Sequence, residues 1–442
     1  MGVFFESGSP RRNVLLLLQG HFISKIGSAA FDIVFVLWMK QQMGLAGVIG
    51  IVMMLAKLPE ICLSPLSGTL VDMTSRKKVL VVCDLVIGII ITAISAICLA
   101  LPGRTTLHFA MLVAGAICIG ICDSFFNPAV ASFLPELVAR RHLQSVNSVY
   151  RFTTTAAGFL GQFAAAALFT AIGAPVLFLF NGLSYLFSAG SQACIASPAK
   201  SPTAGRPGHP FRRVLANLKE GMAYIGDDQG LKGFLLILCL YHFFLSPFTV
   251  ILPFYVTDVL NAAAAWYGYA MGCFGVGLLV GFILAGVLRL SGSGRARLVV
   301  ACFGVSATAF SLIGVLHHLC LVLPLIFVIG VTIAIIVVAL NTIIQLTTPN
   351  SMHGRIFGLY STLSTASVPF GMGFFGIAMD LLRKASSSPS RAPATIFLFC
   401  GVTLCAIFIL FMGKPAFRNA LNGSADLTSS RQTRSAVDGA ID

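Results

Sequence analysis

Four charged residues interrupt apolar stretches near the start of the chain. Lys25 and Asp32 are seven residues apart and therefore share one face of a helix. Lys57 and Glu60 flank Pro59 in the next apolar stretch. Such charges could form static ion pairs, bind a charged ligand directly, or include an acid, Asp32 or Glu60, that gains and loses a proton. The sequence leaves all three possibilities open.

The segments that carry these charges are long enough to cross a membrane. The chain has 442 residues, of which 57 % are hydrophobic and 10 % charged, and its mean hydropathy is +0.92. A soluble protein of this length lacks the polar residues to cover so much apolar surface. Apolar stretches of about 20 residues, the length that crosses a bilayer core, recur about twelve times. We predict an all-α polytopic membrane protein with twelve transmembrane helices.

Lys and Arg residues indicate the orientation of these helices. Most of them fall at the N-terminus, in the even-numbered loops and in the C-terminal tail, as with Arg11, Arg12 and the run Arg76–Lys78. Because basic loops stay in the cytoplasm, both termini are expected there. The net charge of +14 is thus a topology signal, and no nucleic-acid partner is expected. We expect a bacterial cytoplasmic membrane and a first span that is retained.

The sequence also divides into two halves of six predicted helices, residues 1–196 and 231–412. Between them, residues 197–230 form a Pro-, Gly- and Arg-rich cytoplasmic linker that ends in an amphipathic surface helix, and residues 413–442 are expected to be a disordered tail. One Asn, Pro and Arg pattern recurs with the same spacing in both halves: Asn127, Pro135, Arg141 and Asn341, Pro349, Arg355. The repeat indicates two six-helix pseudo-repeats.

The polar run "SGTLVDMTSRKK" joins the second and third predicted helices, and it resembles the signature loop of the major facilitator superfamily. Met73 and Ser75 depart from that pattern, while four positions fit it: Gly68, Asp72, Arg76 and Lys77. The resemblance implies a charge network that latches one conformation, with Asp123 as the acid of the fourth helix. Gly68 could let helices approach closely. Alternatively, the basic residues only enforce orientation.

The resemblance extends over most of the chain, from about Gly20 to Leu382. Stretches such as "FLPELVARRHLQSVNSVY" and "GRIFGLYSTLSTASVPFGMGFFGIAMD" are similar to the macrolide-efflux and siderophore-exporter branch. This implies the major facilitator fold and alternating-access export of a small or medium-sized organic molecule, with protons as the coupling ion. Phe159 replaces the expected Pro of the antiporter motif. Uniport, import of a metabolite, or a lipid-handling or receptor scaffold are the alternatives.

Further polar and aromatic residues lie within the predicted helices. Arg151 could orient an anionic substrate or reach the membrane surface. His242 could carry protons or serve in packing, and Asp84 is expected to be interfacial and structural. The remaining candidates for contact with a bulky substrate are Tyr241, Phe244, Asn341 and Gln345.

The twelve cysteines fall almost entirely within predicted helices and lack the paired spacing of metal sites. We find no nucleophile–base pair either. The sequence therefore predicts no metal site, no cofactor and no enzymatic activity, and we expect a monomer.

Overall fold

The computed structural model describes residues 9–138, 142–196, 219–220, 222–226, 228–288, 292–347 and 353–413. Regular structure in these ranges is helical, and they contain no strand. Of the predicted linker, residues 219–220, 222–226 and 228–230 are described, and all of these except Asp228 are helical. The rest of its Pro-rich part and the predicted tail beyond Gly413 lie outside the described residues.

Twelve long helices account for most of the described chain. The first six are α1 Ser9–Met43, α2 Ala46–Asp72, α3 Arg76–Ala100, α4 Thr105–Leu137, α5 Leu143–Ile172 and α6 Ala174–Ala193. The second six are α7 Gln229–Leu245, α8 Ala265–Leu288, α9 Gly292–Ile313, α10 Leu319–Thr347, α11 His353–Ala385 and α12 Ala392–Met412. Eleven of these described spans are apolar enough to cross a membrane. The helix α5 has 30 residues and is not among these eleven. The predicted all-α polytopic fold is confirmed.

The seventh span is broken where its prolines lie. After α7 ends, the chain continues in two short helices, Pro247–Val250 and Leu252–Phe254, and in a π-helical turn, Tyr255–Val259. Proline lacks a backbone N–H and its ring crowds the preceding turn, and the two short helices begin at Pro247 and one residue before Pro253. The seventh span is thus interrupted at the position of Pro247 and Pro253.

The helices form two compact units. The first comprises Met1–Val214 with Ala263–Gly272, and the second comprises Leu215–Ala262 with Cys273–Asp442. In the first unit, α1 packs against α5 and α6, α3 packs against α4 and α6, and α2 packs against α4. In the second unit, α9 packs against α10 and α12, and α11 packs against α7.

Small residues allow some of these helices to approach backbone to backbone. In the second unit, a Cβ atom at Gly281 would overlap the carbonyl oxygen of Val331, and one at Gly330 would overlap that of Phe274. Glycine removes the side chain that would hold α8 and α10 apart. Such contacts are typical of helix packing in membranes, where close van der Waals contact replaces hydrophobic exclusion.

Candidate functional site

The main group of charged side chains lies in the first unit and is centred on Lys57. Its Nζ is 3.2 Å from Oε2 of Glu60, one turn further along α2, and 3.9 Å from Oδ2 of Asp123 on α4. The Lys57 side chain is 47 % exposed, whereas each acid is 20 % exposed. One ammonium group thus joins two carboxylates on two helices.

Asp32 and Lys25 complete this group from α1. Asp32 is exposed and Lys25 is half-buried. The Asp32 carboxylate interacts electrostatically with Lys57, Lys25 and Asp123. Within the described residues, however, Asp32 and Lys25 form no hydrogen bond or ion pair. The structure thus brings the four intramembrane charges predicted from the sequence into one region.

We call Lys25, Asp32, Lys57, Glu60 and Asp123 the charged cluster. It contains three carboxylates and two ammonium groups, so it carries one surplus negative charge when all five groups are ionised. Of the three acids in the cluster, Asp32 is the one that forms no salt bridge with a described residue. A proton or a cationic ligand that reaches Asp32 would neutralise the surplus.

A glycine sets the distance between the helices that carry the cluster. A Cβ at Gly120 would overlap the carbonyl oxygen of Ala56, because α2 and α4 touch there along their backbones. Gly120 lies one turn before Asp123, and Ala56 immediately precedes Lys57. The close approach therefore places the carboxylate of α4 within reach of the ammonium group of α2.

Two of the predicted latch residues, Arg76 and Lys77, have described partners on α4 and near the end of α6. Arg76 forms an ion pair with Glu136 near the end of α4. Nζ of Lys77 donates to the carbonyl oxygens of Ala193 at 2.7 Å and Ile195 at 2.8 Å, so it caps the end of α6. Lys77 thereby neutralises the negative end of a helix dipole. Arg76 and Lys77 together tie the start of α3 to α4 and α6.

Asp123 does not join Arg76 in this arrangement, contrary to the sequence-based expectation. It is separated from Glu136 by about 20 Å along α4, more than an arginine side chain can bridge. Gly68 also differs from expectation, since no described atom lies within 4 Å of the position that its Cβ would occupy. Asp72 is the last residue of α2, and its side chain is outside the described part of the structure. The latch stays a prediction, with Glu136 as the partner of Arg76.

The aromatic candidates are packed inside the second unit. Tyr241 is 2 % exposed and its hydroxyl is 2.5 Å from Oγ of Ser306 on α9. Phe244 is 6 % exposed and lies against Phe375, with ring centroids 5.8 Å apart. Nδ1 of His242 is 2.8 Å from the carbonyl oxygen of Leu238. Tyr241 and Phe244 are thus buried among other side chains, whereas His242 is half-buried.

The remaining candidates are not gathered into one site. Arg151 is exposed on α5. Asn341 is half-buried on α10, beside Tyr360 of α11. Gln345 belongs to α10, but its side chain is not among the described ones. Nothing in the sequence singles out Glu136 as a partner, because an acid near a basic loop is common in membrane proteins.

Comparison with protein families gives one match that covers most of the chain. The family model described as Major Facilitator Superfamily matches residues 17–372. Among the similar proteins is the "Multidrug efflux pump Tap" of Mycolicibacterium fortuitum, 24 % identical over 387 residues, which are 85 % of this chain and 91 % of that protein. Another is "Macrolide efflux protein A" of Streptococcus pyogenes, 24 % identical over 365 residues, 80 % of this chain and 86 % of that protein.

Solved structures share the fold at much lower sequence identity. A point mutant of the nucleoside transporter NupG superposes with a TM-score of 0.74 and 11 % identity, covering 91 % of this chain and 100 % of that one. A bacterial homologue of the iron transporter ferroportin, in an inward-facing state, gives a TM-score of 0.65 and 17 % identity, covering 91 % and 99 %. At these identities the similarity concerns the fold alone.

Proposed function

The chain belongs to the major facilitator superfamily, and on that premise we propose that it exports a small or medium-sized organic cation in exchange for protons. Its relatives include proteins named as multidrug and macrolide efflux pumps. Their names support an outward direction and an organic substrate. The proposed setting is a bacterial cytoplasmic membrane with both termini in the cytoplasm, which rests on the distribution of basic residues.

The observation that carries the proposal is the surplus negative charge of the charged cluster. Lys57 is already shared between Glu60 and Asp123, at 3.2 and 3.9 Å. Asp32 has no such partner in the described residues and is exposed. An unpaired carboxylate on a membrane-spanning helix is costly, and either a proton or a bound cation removes that cost.

Competition between these two positive charges would produce exchange. When Asp32 is ionised, the cluster attracts a cationic substrate. When Asp32 is protonated, the cluster is formally neutral and the attraction is lost. A substrate that binds only to the ionised form must leave before, or as, the proton enters, which couples the two fluxes in opposite directions. Alternating access would then present Asp32 to each side of the membrane in turn.

A second candidate function is uniport. Phe159 stands where the antiporter motif of the resembling family has a proline, so α5 lacks that feature. Under uniport, the cluster would be a static set of ion pairs and substrate would follow its own gradient. The two functions differ in whether an imposed proton gradient drives accumulation of the substrate.

The direct test is substrate flux in everted membrane vesicles. Vesicles with an inside-acidic pH gradient would be given a radiolabelled lipophilic cation, such as tetraphenylphosphonium, or a labelled macrolide with a basic amine. We expect accumulation above that of vesicles without the protein, and its loss when an ionophore collapses the gradient. Transport that persists unchanged without the gradient would favour uniport. An absence of flux for every cation and amine in vesicles that contain folded protein would contradict the proposal.

A further inference from the structure

A second acid, Asp84 on α3, is buried away from the charged cluster. The sequence predicts a structural residue near the membrane interface, and in the structure Asp84 is only 1 % exposed. Its Oδ2 accepts a hydrogen bond of 2.7 Å from Nε2 of Gln192 on α6, and the hydroxyl of Ser188 also bonds to the carboxyl group. Gln192 and Ser188 are both 0 % exposed. In the described part of the chain, no basic side chain forms an ion pair with Asp84.

The partners of Asp84 are suited to a carboxylic acid. Oε1 of Gln192 is buried and accepts no hydrogen bond from the described residues. A protonated Asp84 has one O–H to donate, and an acid and a primary amide can form a ring of two hydrogen bonds, N–H to one carboxyl oxygen and O–H to the amide oxygen. An ionised Asp84 would keep the hydrogen bonds from Gln192 and Ser188, but its charge would have no ion-pair partner among the described residues and this acceptor would have no donor.

The charged groups near Asp84 do not favour either form strongly. Lys25 on α1 and Asp123 on α4 act on it with opposite signs. The titratable side chains near it are the phenols of Tyr150 on α5 and Tyr185 on α6. Tyr150 in turn lies 3.0 Å, by its hydroxyl, from Nε2 of His21. The side chains on α6 that form hydrogen bonds with Asp84 in the described structure, Gln192 and Ser188, are themselves uncharged.

From this geometry we propose that Asp84 is a second proton-binding residue, protonated in the described conformation and paired with the Gln192 amide in a cyclic acid–amide contact. Lys25 interacts with both Asp84 and Asp32, so one base is shared between the two acids. A contribution of Asp84 to coupling rests on the proposed antiport. The protonation of Asp84 itself does not depend on the proposed antiport.

Infrared spectroscopy tests the protonation without any transport assay. Spectra of the purified wild type and of Asp84→Asn would be compared at neutral pH in the region of the carboxylic-acid C=O stretch. We expect the variant to lose one such band. Asn can replace a neutral acid in the contact with Gln192, so that the variant should fold. The matched control is Asp123→Asn, which should lose a carboxylate band instead, because Asp123 faces the Lys57 ammonium group.

A second variant keeps the proposal testable if Asp84→Asn does not fold. Gln192→Leu removes the amide but retains the acid, and the Asp84 band should move to the higher frequency of a more weakly hydrogen-bonded acid. Loss of a carboxylate band in Asp84→Asn, or an unshifted acid band in Gln192→Leu, would overturn the proposal. If proton-coupled flux fails in vesicles while the acid band is present, the proposed function is refuted and the site stands.

Discussion

The bond between Lys57 and Asp123 offers the sharpest energetic prediction. Their charged atoms are 3.9 Å apart, and two unit charges about 4 Å apart interact by about 4 kcal/mol at an effective dielectric constant near 20. The Lys57 side chain is 47 % exposed, so solvent screens part of this energy, and fully exposed pairs contribute only about 0.2–1 kcal/mol. We therefore expect a coupling energy of about 1–2 kcal/mol between the two side chains.

A double-mutant cycle measures this coupling. The free energy of unfolding would be determined in mixed detergent micelles for the wild type, Lys57→Met, Asp123→Asn and the double variant. The double variant should be more stable than the sum of the single effects predicts, because each single change leaves a partner uncompensated. The control cycle pairs Lys57→Met with Glu136→Gln, whose site is about 20 Å further along α4. If the two cycles give the same interaction energy, the ion pair between Lys57 and Asp123 does not contribute to the free energy of unfolding.

Two further predictions concern helix packing and the predicted latch. Gly120→Ala should lower the free energy of unfolding by about 1–3 kcal/mol, because the new methyl group meets the Ala56 carbonyl oxygen. Thermal unfolding measures this loss. The control is Gly190→Ala, where the space is open and stability should not fall. Arg76→Gln should also lower the free energy of unfolding by about 1–3 kcal/mol, because it leaves the Glu136 carboxylate unpaired. Adding Glu136→Gln to this variant should restore part of the lost stability. Equal stability of both glycine variants would contradict the close approach of α2 and α4 at Gly120. If Glu136→Gln does not restore stability to Arg76→Gln, the ion pair between Arg76 and Glu136 does not contribute.

The fold follows from the sequence more completely than the site does. Long apolar stretches predict helices because a bilayer requires each backbone polar group to be paired within its own segment. Pro247 and Pro253 likewise account for the position of the break in the seventh span, since each removes a helical hydrogen bond there. The same-face relation of Lys25 and Asp32 follows from helical periodicity alone. These features are local, and local rules suffice for them.

Contacts between helices could not be predicted from such local sequence rules. The meeting of Asp123 with Lys57 depends on how closely α2 and α4 approach at Gly120. The burial of Asp84 likewise depends on which face of α3 meets α6. Hydropathy shows that these helices cross the membrane, but it does not show their rotation or their relative height. The sequence therefore provided the charged residues, while the structure was needed to pair them.

Proton movement at Asp32 tests the central claim most directly. Everted vesicles would be acidified inside and monitored with a pH-quenched dye while tetraphenylphosphonium, a basic macrolide or an anionic siderophore is added. We predict saturable dequenching with the two cations in the wild type, none with the anion, and none with any compound in Asp32→Asn at equal amounts of folded protein. The same cation-triggered proton release in Asp32→Asn as in the wild type would contradict the assignment of proton–cation exchange to this carboxylate.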